Sequence, residues 1–117
     1  MATESSRPVR LLFVCSANAL RSPTAEAVFS QYHGVEATSA GTNHDAENPV
    51  SGDLIEWADL IFAMERSHRK IIQQRFASVI GSKKILVLGI PDKYQFMDPG
   101  LVNILKSKVN RYLPRPL

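Results

Sequence analysis

Cys15 is the only cysteine of the 117-residue chain, and Arg21 follows it six positions later, with Ser16, Ala17, Asn18, Ala19 and Leu20 between them and Ser22 and Pro23 directly after. A cysteine thiolate is a strong nucleophile, and a guanidinium grips two oxygens of a phosphate in a geometry that lysine cannot copy. The intervening residues are mostly small, so they suit a tight loop whose successive backbone N–H groups turn inward as an anion cradle. A helix starting where that loop ends would add its own free N–H groups and its positive dipole end. The same field favours the thiolate form of Cys15. Together these residues could perform attack of sulfur on a bound phosphoryl group. A lone cysteine allows no internal disulfide and makes a zinc site of the usual Cys/His type improbable, so no metal and no cofactor are expected.

Such a loop needs a strand before it and a helix after it, and the pattern supplies both. Val9 to Val14 is a short, mostly apolar run suited to a buried strand, and Ser22 with Pro23 reads as an N-cap and a first-turn proline ahead of Ala25, Val28, Phe29 and Tyr32 at helical spacing. That helix is expected to end near His33 and Gly34. Val35 to Ala40 reads as a second strand stopping at Gly41, Asn43 to Pro49 as turns, and Val50 to Trp57 as a short helix. Asp59 to Met64 reads as a third strand, followed by a helix with His68, Ile71, Ile72, Phe76 and Val79 on one stripe, closed by Gly81. Lys84 to Ile90 reads as a fourth strand, and Asp98 with Pro99 repeats the cap signal before Leu101, Ile104, Leu105, Val109, Tyr112 and Leu113. Apolar strands separated by amphipathic helices predict an α/β, single-domain three-layer sandwich: a four-stranded parallel sheet flanked by helices, with ligands beyond the carboxyl ends of the strands. One domain over residues 1–117 is expected, with residues 1–8 flexible.

The run from Val14 to Ala27, VCSANALRSPTAEA, resembles the signature of the low-molecular-weight protein tyrosine phosphatases. Ser39-Ala40-Gly41-Thr42 and Ala58-Asp59-Leu60-Ile61-Phe62-Ala63-Met64 are similar to further segments of that family, so the resemblance covers most of the chain. It implies the same four-stranded parallel fold, with Cys15 as nucleophile, Arg21 as phosphate clamp and Ser22 as hydroxyl donor to the thiolate. The loop residues Ser16, Ala17, Asn18, Ala19 and Leu20 would surround the phosphate, and Asn18, with Ser39 in support, would hold the loop in its strained shape. The activity implied is hydrolysis of phosphate monoesters, of phosphotyrosine type, through a phosphocysteine intermediate.

The departing oxygen needs a proton, which the family takes from an aspartate after the last strand. Asp98 precedes a proline but is already occupied as N-cap of the last helix, whereas Asp92 has no evident structural task and follows strand four on the same edge of the sheet as Cys15. Asp92 is therefore the expected acid, and Tyr94 a residue that either stacks on an aromatic substrate or covers the pocket mouth. His33, His44 and His68 have no metal-ligand spacing and are read as incidental to catalysis. Three departures stand out. The stretch from Thr42 to Val50 is shorter than in the family and lacks its aromatic rim residue; Leu20 replaces a second loop cysteine; and Lys93 stands where the family has proline. The first leaves the group behind the phosphate open, and the second removes a protective disulfide.

The net charge of +3 hides an asymmetry: residues 1–65 carry 3 basic and 9 acidic side chains, and residues 66–117 carry 11 basic and 2 acidic. The basic residues are spread over helical faces rather than gathered in one run, which argues for solvated surfaces and against nucleic acid as partner. The polar beginning lacks the apolar core of a signal peptide and no later run is long enough to span a bilayer, so a cytoplasmic protein without membrane attachment is expected, acting on a phosphorylated protein or a small phosphate monoester. Two other functions fit the loop less well. A thiol-dependent arsenate reductase would need an external thiol, since one cysteine cannot run an internal relay, and a non-catalytic phosphate or nucleic-acid binding module would need neither Cys15 nor Asp92.

Overall fold

The computed structural model describes residues 7–113. Residues 1–6 of the expected flexible start lie outside that range; Arg7 is described, and its guanidinium donates to both carboxylate oxygens of Asp59 at 3.0 and 2.8 Å. Four strands, β1 (Val9–Cys15), β2 (Val35–Gly41), β3 (Leu60–Ala63) and β4 (Ile85–Val87), form one sheet in the order β2-β1-β3-β4 with every pairing parallel. The helices are α1 (Arg21–Phe29), α2 (Gly52–Trp57), α3 (Arg66–Arg75), α4 (Ala77–Ile80) and α5 (Pro99–Val109).

The two-residue period of β1 divides the core. Leu11, Phe13 and Cys15 face one layer, where they pack with Ala25, Val28 and Phe29 of α1 and Leu101, Leu105 and Val109 of α5. Leu12 and Val14 face the other, with Ile55 of α2, Ile72 of α3 and, at the margin, Val79 and Ile80 of α4. Phe13 stacks between Phe29 and Phe62 at centroid distances of 5.5 and 5.2 Å, joining sheet to helix in the first layer. The sandwich is thus three-layered, as the apolar strand runs predict. Because β1 is central and the chain leaves it toward β2 before crossing back to β3, the loop after β1 opens where the strand order reverses, the place where ligands bind in open parallel sheets.

Some boundaries differ from the sequence reading. The helix drawn through His68 to Val79 is interrupted at Phe76, whose φ and ψ of −120° and 30° separate α3 from α4. Regular pairing of β4 ends at Val87, yet Leu88 and Ile90 still donate to Ala63 O and Met64 O at 2.9 Å, so the chain follows β3 up to Ile90. Helix α1 ends at Phe29, before Gly34.

Candidate active site

Cys15 closes β1 and Arg21 opens α1, so five residues must turn the chain from the sheet into the helix. The turn is made at Asn18, which has φ 58°, a left-handed conformation that asparagine tolerates better than most side chains. Asn18 holds the turn from inside: its Nδ2 donates to Ser22 Oγ at 3.0 Å, and Ser22 Oγ lies 2.9 Å from Cys15 Sγ. With Asn18 occupying one lone pair, the Ser22 proton points to the sulfur or to the more distant Ala40 O at 3.4 Å. Either partner can donate across the Cys15–Ser22 contact: the hydroxyl to a thiolate, or the thiol to the remaining lone pair of the hydroxyl. Ser22 is therefore not the N-cap expected from the sequence. That place belongs to Leu20, which has no capping side chain, so the first-turn N–H groups of α1 have no side-chain acceptor.

Ser39 also differs from expectation. Its hydroxyl donates to Glu26 Oε1 on α1 rather than supporting Asn18, because Ser39 sits one strand-turn back from the loop and faces the helix side. The closest approach of β2 to the loop is made by Gly41, the register partner of Cys15. A β-carbon there would lie 2.7 Å from Ala46 Cβ and 3.0 Å from Asn18 N, and closer still to Ser16 O. Thr42 N and Asn43 N donate to Cys15 O and Ser16 O at 2.9 and 3.0 Å, fastening the loop from the β2 side.

A cavity of about 80 Å³ opens over the loop, lined by Cys15, Ser16, Ala17, Ala19, Leu20, Arg21 and Asp92. Of the residues read from sequence as surrounding the phosphate, Asn18 and Ser22 lie behind the loop as its internal bracing. Tyr94 packs against the edge of the α1–α5 layer with Lys93 over its ring and does not line the cavity. Arg21 is 3 % exposed, and its NH1 group donates to Ile90 O at 2.7 Å and to the Glu65 carboxylate, while its Nε lies 3.6 Å from Asp92 Oδ1. A buried guanidinium so held has a fixed orientation toward the cavity.

Asp92 is mostly exposed, at the cavity mouth. Its segment is anchored downstream, where Met97 N donates to Thr24 Oγ1 at 2.9 Å and Asp98 caps α5 by accepting from Gly100 N at 2.7 Å. Asp92 thus lies at the cavity beside Arg21, and Asp98 is occupied in a cap.

Two residues at the site were not anticipated as such. Glu65 is the N-cap of α3 and forms a reciprocal capping box with His68, three positions on. Both also reach the loop: Glu65 holds Arg21, and His68 Nε2 lies 2.9 Å from Ser16 Oγ. His68 is buried, and that burial, reinforced by the nearby Arg21 charge, pushes its pKa below the ordinary histidine value; Glu65 and Asp92 act in the opposite sense. The signal was present as Glu-x-x-His at a helix start, but the helical stripe made His68 look like a filler of the apolar face.

A sequence model of the family described as low molecular weight phosphotyrosine protein phosphatase matches residues 10–57, from β1 to α2. A protein-arginine-phosphatase of Bacillus subtilis (strain 168) is 32% identical over 93 residues, covering 56% of this chain and 62% of the relative. The chain thus spans less than two thirds of the length of the curated relatives it matches. Among solved structures, an arginine phosphatase from Geobacillus stearothermophilus superimposes with a TM-score of 0.71 at 25% identity over 90% of each chain. A tyrosine phosphatase from Escherichia coli K30, in complex with phosphate, has the same fold, with a TM-score of 0.70 at 22% identity over 88% of this chain and 94% of that one.

Proposed function

We propose that this chain, whose residues 10–57 match the low molecular weight phosphotyrosine protein phosphatase family, hydrolyses phosphate monoesters through a phosphocysteine on Cys15. The observation that carries the proposal is the loop from Cys15 to Arg21. One cavity there is lined by a nucleophile, a buried guanidinium and an exposed carboxylate. In the first step the Cys15 thiolate attacks phosphorus from one side while the ester oxygen leaves from the other, and Asp92 gives that oxygen its proton. The phosphorus–oxygen bond breaks as the phosphorus–sulfur bond forms. Backbone N–H groups of the loop and the Arg21 guanidinium meet the three equatorial oxygens, whose charge they stabilise. In the second step Asp92, now a carboxylate, takes a proton from water, whose oxygen attacks phosphorus and expels the Cys15 thiolate. Ser22 stabilises that thiolate in both directions, being 2.9 Å from the sulfur.

The substrate proposed is a phosphorylated protein or a small phosphate monoester of phosphotyrosine type. Phosphoarginine is a second reading, favoured by the names of the relatives and by Asp92, a carboxylate at the cavity mouth able to face a guanidinium. A nucleophile with no partner cysteine in the chain suits a reducing compartment such as the cytoplasm. No helix among the described residues is long and apolar enough to cross a membrane.

The test is hydrolysis of a generic aryl phosphate by the wild type, Cys15→Ser and Asp92→Ala, followed by phosphotyrosine and phosphoarginine peptides side by side. Turnover by the wild type, none by Cys15→Ser and a strong loss in Asp92→Ala is the expected pattern. A wild type without turnover on any of these substrates removes the proposal.

A further inference from the structure

The capping box at the start of α3 touches the loop at both of its ends, and the protons on His68 are assigned by its neighbours. Glu65 N–H donates to His68 Nδ1 at 3.1 Å, so Nδ1 carries a lone pair and the ring proton sits on Nε2. Nε2 then donates to Ser16 Oγ at 2.9 Å, which leaves the Ser16 hydroxyl proton free to turn toward an acceptor in the cavity that Ser16 lines. The partner residue of the box, Glu65, grips Arg21 at the far end of the loop. We propose that neutral His68 is a positioning residue of the phosphate loop, fixing Ser16 as an extra hydroxyl donor to bound phosphate and tying the loop's first residue to α3.

The proposal rests on the reading of the loop as a phosphate cradle and adds a device that depends on protonation. A proton added at Nδ1 would face the Glu65 N–H donor to donor, so the capping box and the Ser16 contact cannot both persist in the charged ring. The charged groups around the ring are Arg21 from the start of α1, Glu65 from its own helix start and Asp92 from the segment after β4. Burial and Arg21 oppose protonation; the two carboxylates favour it. Acid should therefore loosen the loop through His68, apart from any titration of Cys15 or Asp92.

Binding of inorganic phosphate measured by calorimetry tests this without requiring turnover. At neutral pH, Ser16→Ala and His68→Ala are each expected to weaken phosphate binding by roughly three- to tenfold, the worth of one hydrogen bond. The double variant should be no weaker than the weaker single, because both changes remove one interaction. His68→Gln retains an oxygen acceptor at the third helical position for the capping box and cannot titrate. The ratio of wild-type to His68→Gln affinity, in which the titration of phosphate itself cancels, should fall as the solution is made acid. Thermal melts check that each variant is folded. Nitrogen-15 spectra of the wild-type imidazole should show the proton on Nε2. Multiplicative losses in the double variant, a flat ratio with pH, or a proton on Nδ1 overturn the proposal and leave the phosphatase reading standing. A wild type that binds no phosphate overturns both.

Discussion

Replacing Gly41 by alanine tests the packing that shapes the phosphate loop, without touching any group that performs chemistry. The added methyl would stand 2.7 Å from Ala46 Cβ and 3.0 Å from Asn18 N, and nearer still to Ser16 O. Carbon atoms in ordinary contact are about 3.5–4.0 Å apart, so at least about 0.8 Å must be absorbed. The obstacles are backbone atoms of the loop and a Cβ with no freedom to swing aside, which leaves displacement of the loop as the main relief. Overpacking of this kind costs about 1–3 kcal/mol, which for a domain of this size lowers Tm by roughly 4–12 °C. The effect on activity should be larger in proportion. A shift approaching 1 Å in groups that position a reactant can cost about a hundredfold in rate, and Asn18 N belongs to the loop that would contact phosphate. The assay is kcat/KM on an aryl phosphate together with the Kd of inorganic phosphate, both at a temperature well below the melting transition. Gly52→Ala is the control, since its β-carbon would meet only Val79 Cγ2 at 3.7 Å, an ordinary contact. A Gly41→Ala protein with wild-type turnover and phosphate affinity would refute the reasoning, whatever its Tm.

Asp98→Ala should lower stability by about 1 kcal/mol through loss of the α5 cap and leave turnover largely intact. Asp92→Asn should do the reverse, reducing kcat by about 10²–10⁴ with little change in Tm because its side chain is largely solvent-exposed; a swap of these two outcomes would move the acid to Asp98. His68 contributes stability that is fully present above the ordinary histidine pKa of about 6.5 and is lost as pH falls through its lower folded-state value. Denaturant midpoints measured across that range should therefore decline with acid more steeply for the wild type than for His68→Gln. Mild peroxide should inactivate through a Cys15 sulfenic acid that added thiol reverses, whereas prolonged exposure should not be recoverable, since the chain holds no second cysteine to trap the intermediate.

Where local chemistry and fold agree, the sequence was legible. The apolar run of β1 forms a buried strand and Asp98-Pro99 forms the cap of α5, as their local patterns predict. Ser22 misled because Ser-Pro is a strong cap signal in isolation, while here the hydroxyl turns inward to Cys15 and Asn18, contacts set by the curl of the loop rather than by helix propensity. Ser39 was drawn to Asn18 by resemblance, yet the strand register points it at Glu26. Glu65 and His68 were hidden for a different reason. They lie 44 and 52 residues from their partners Arg21 and Ser16, and only the pairing of β3 beside β1 brings the start of α3 to the loop. The break at Phe76 has no proline or glycine to announce it.

The central claim is that phosphate passes through the sulfur of Cys15. Rapid quench of the Asp92→Ala protein with an aryl phosphate, followed by intact mass and phosphorus-31 spectroscopy, measures it most directly. The expected result is a protein heavier by one phosphoryl group, with a thiophosphate resonance that is missing when Cys15→Ser is treated in the same way. Turnover by the wild type with no phosphorylated cysteine in the slowed variant, or a phosphoryl group carried on another residue, would contradict the account.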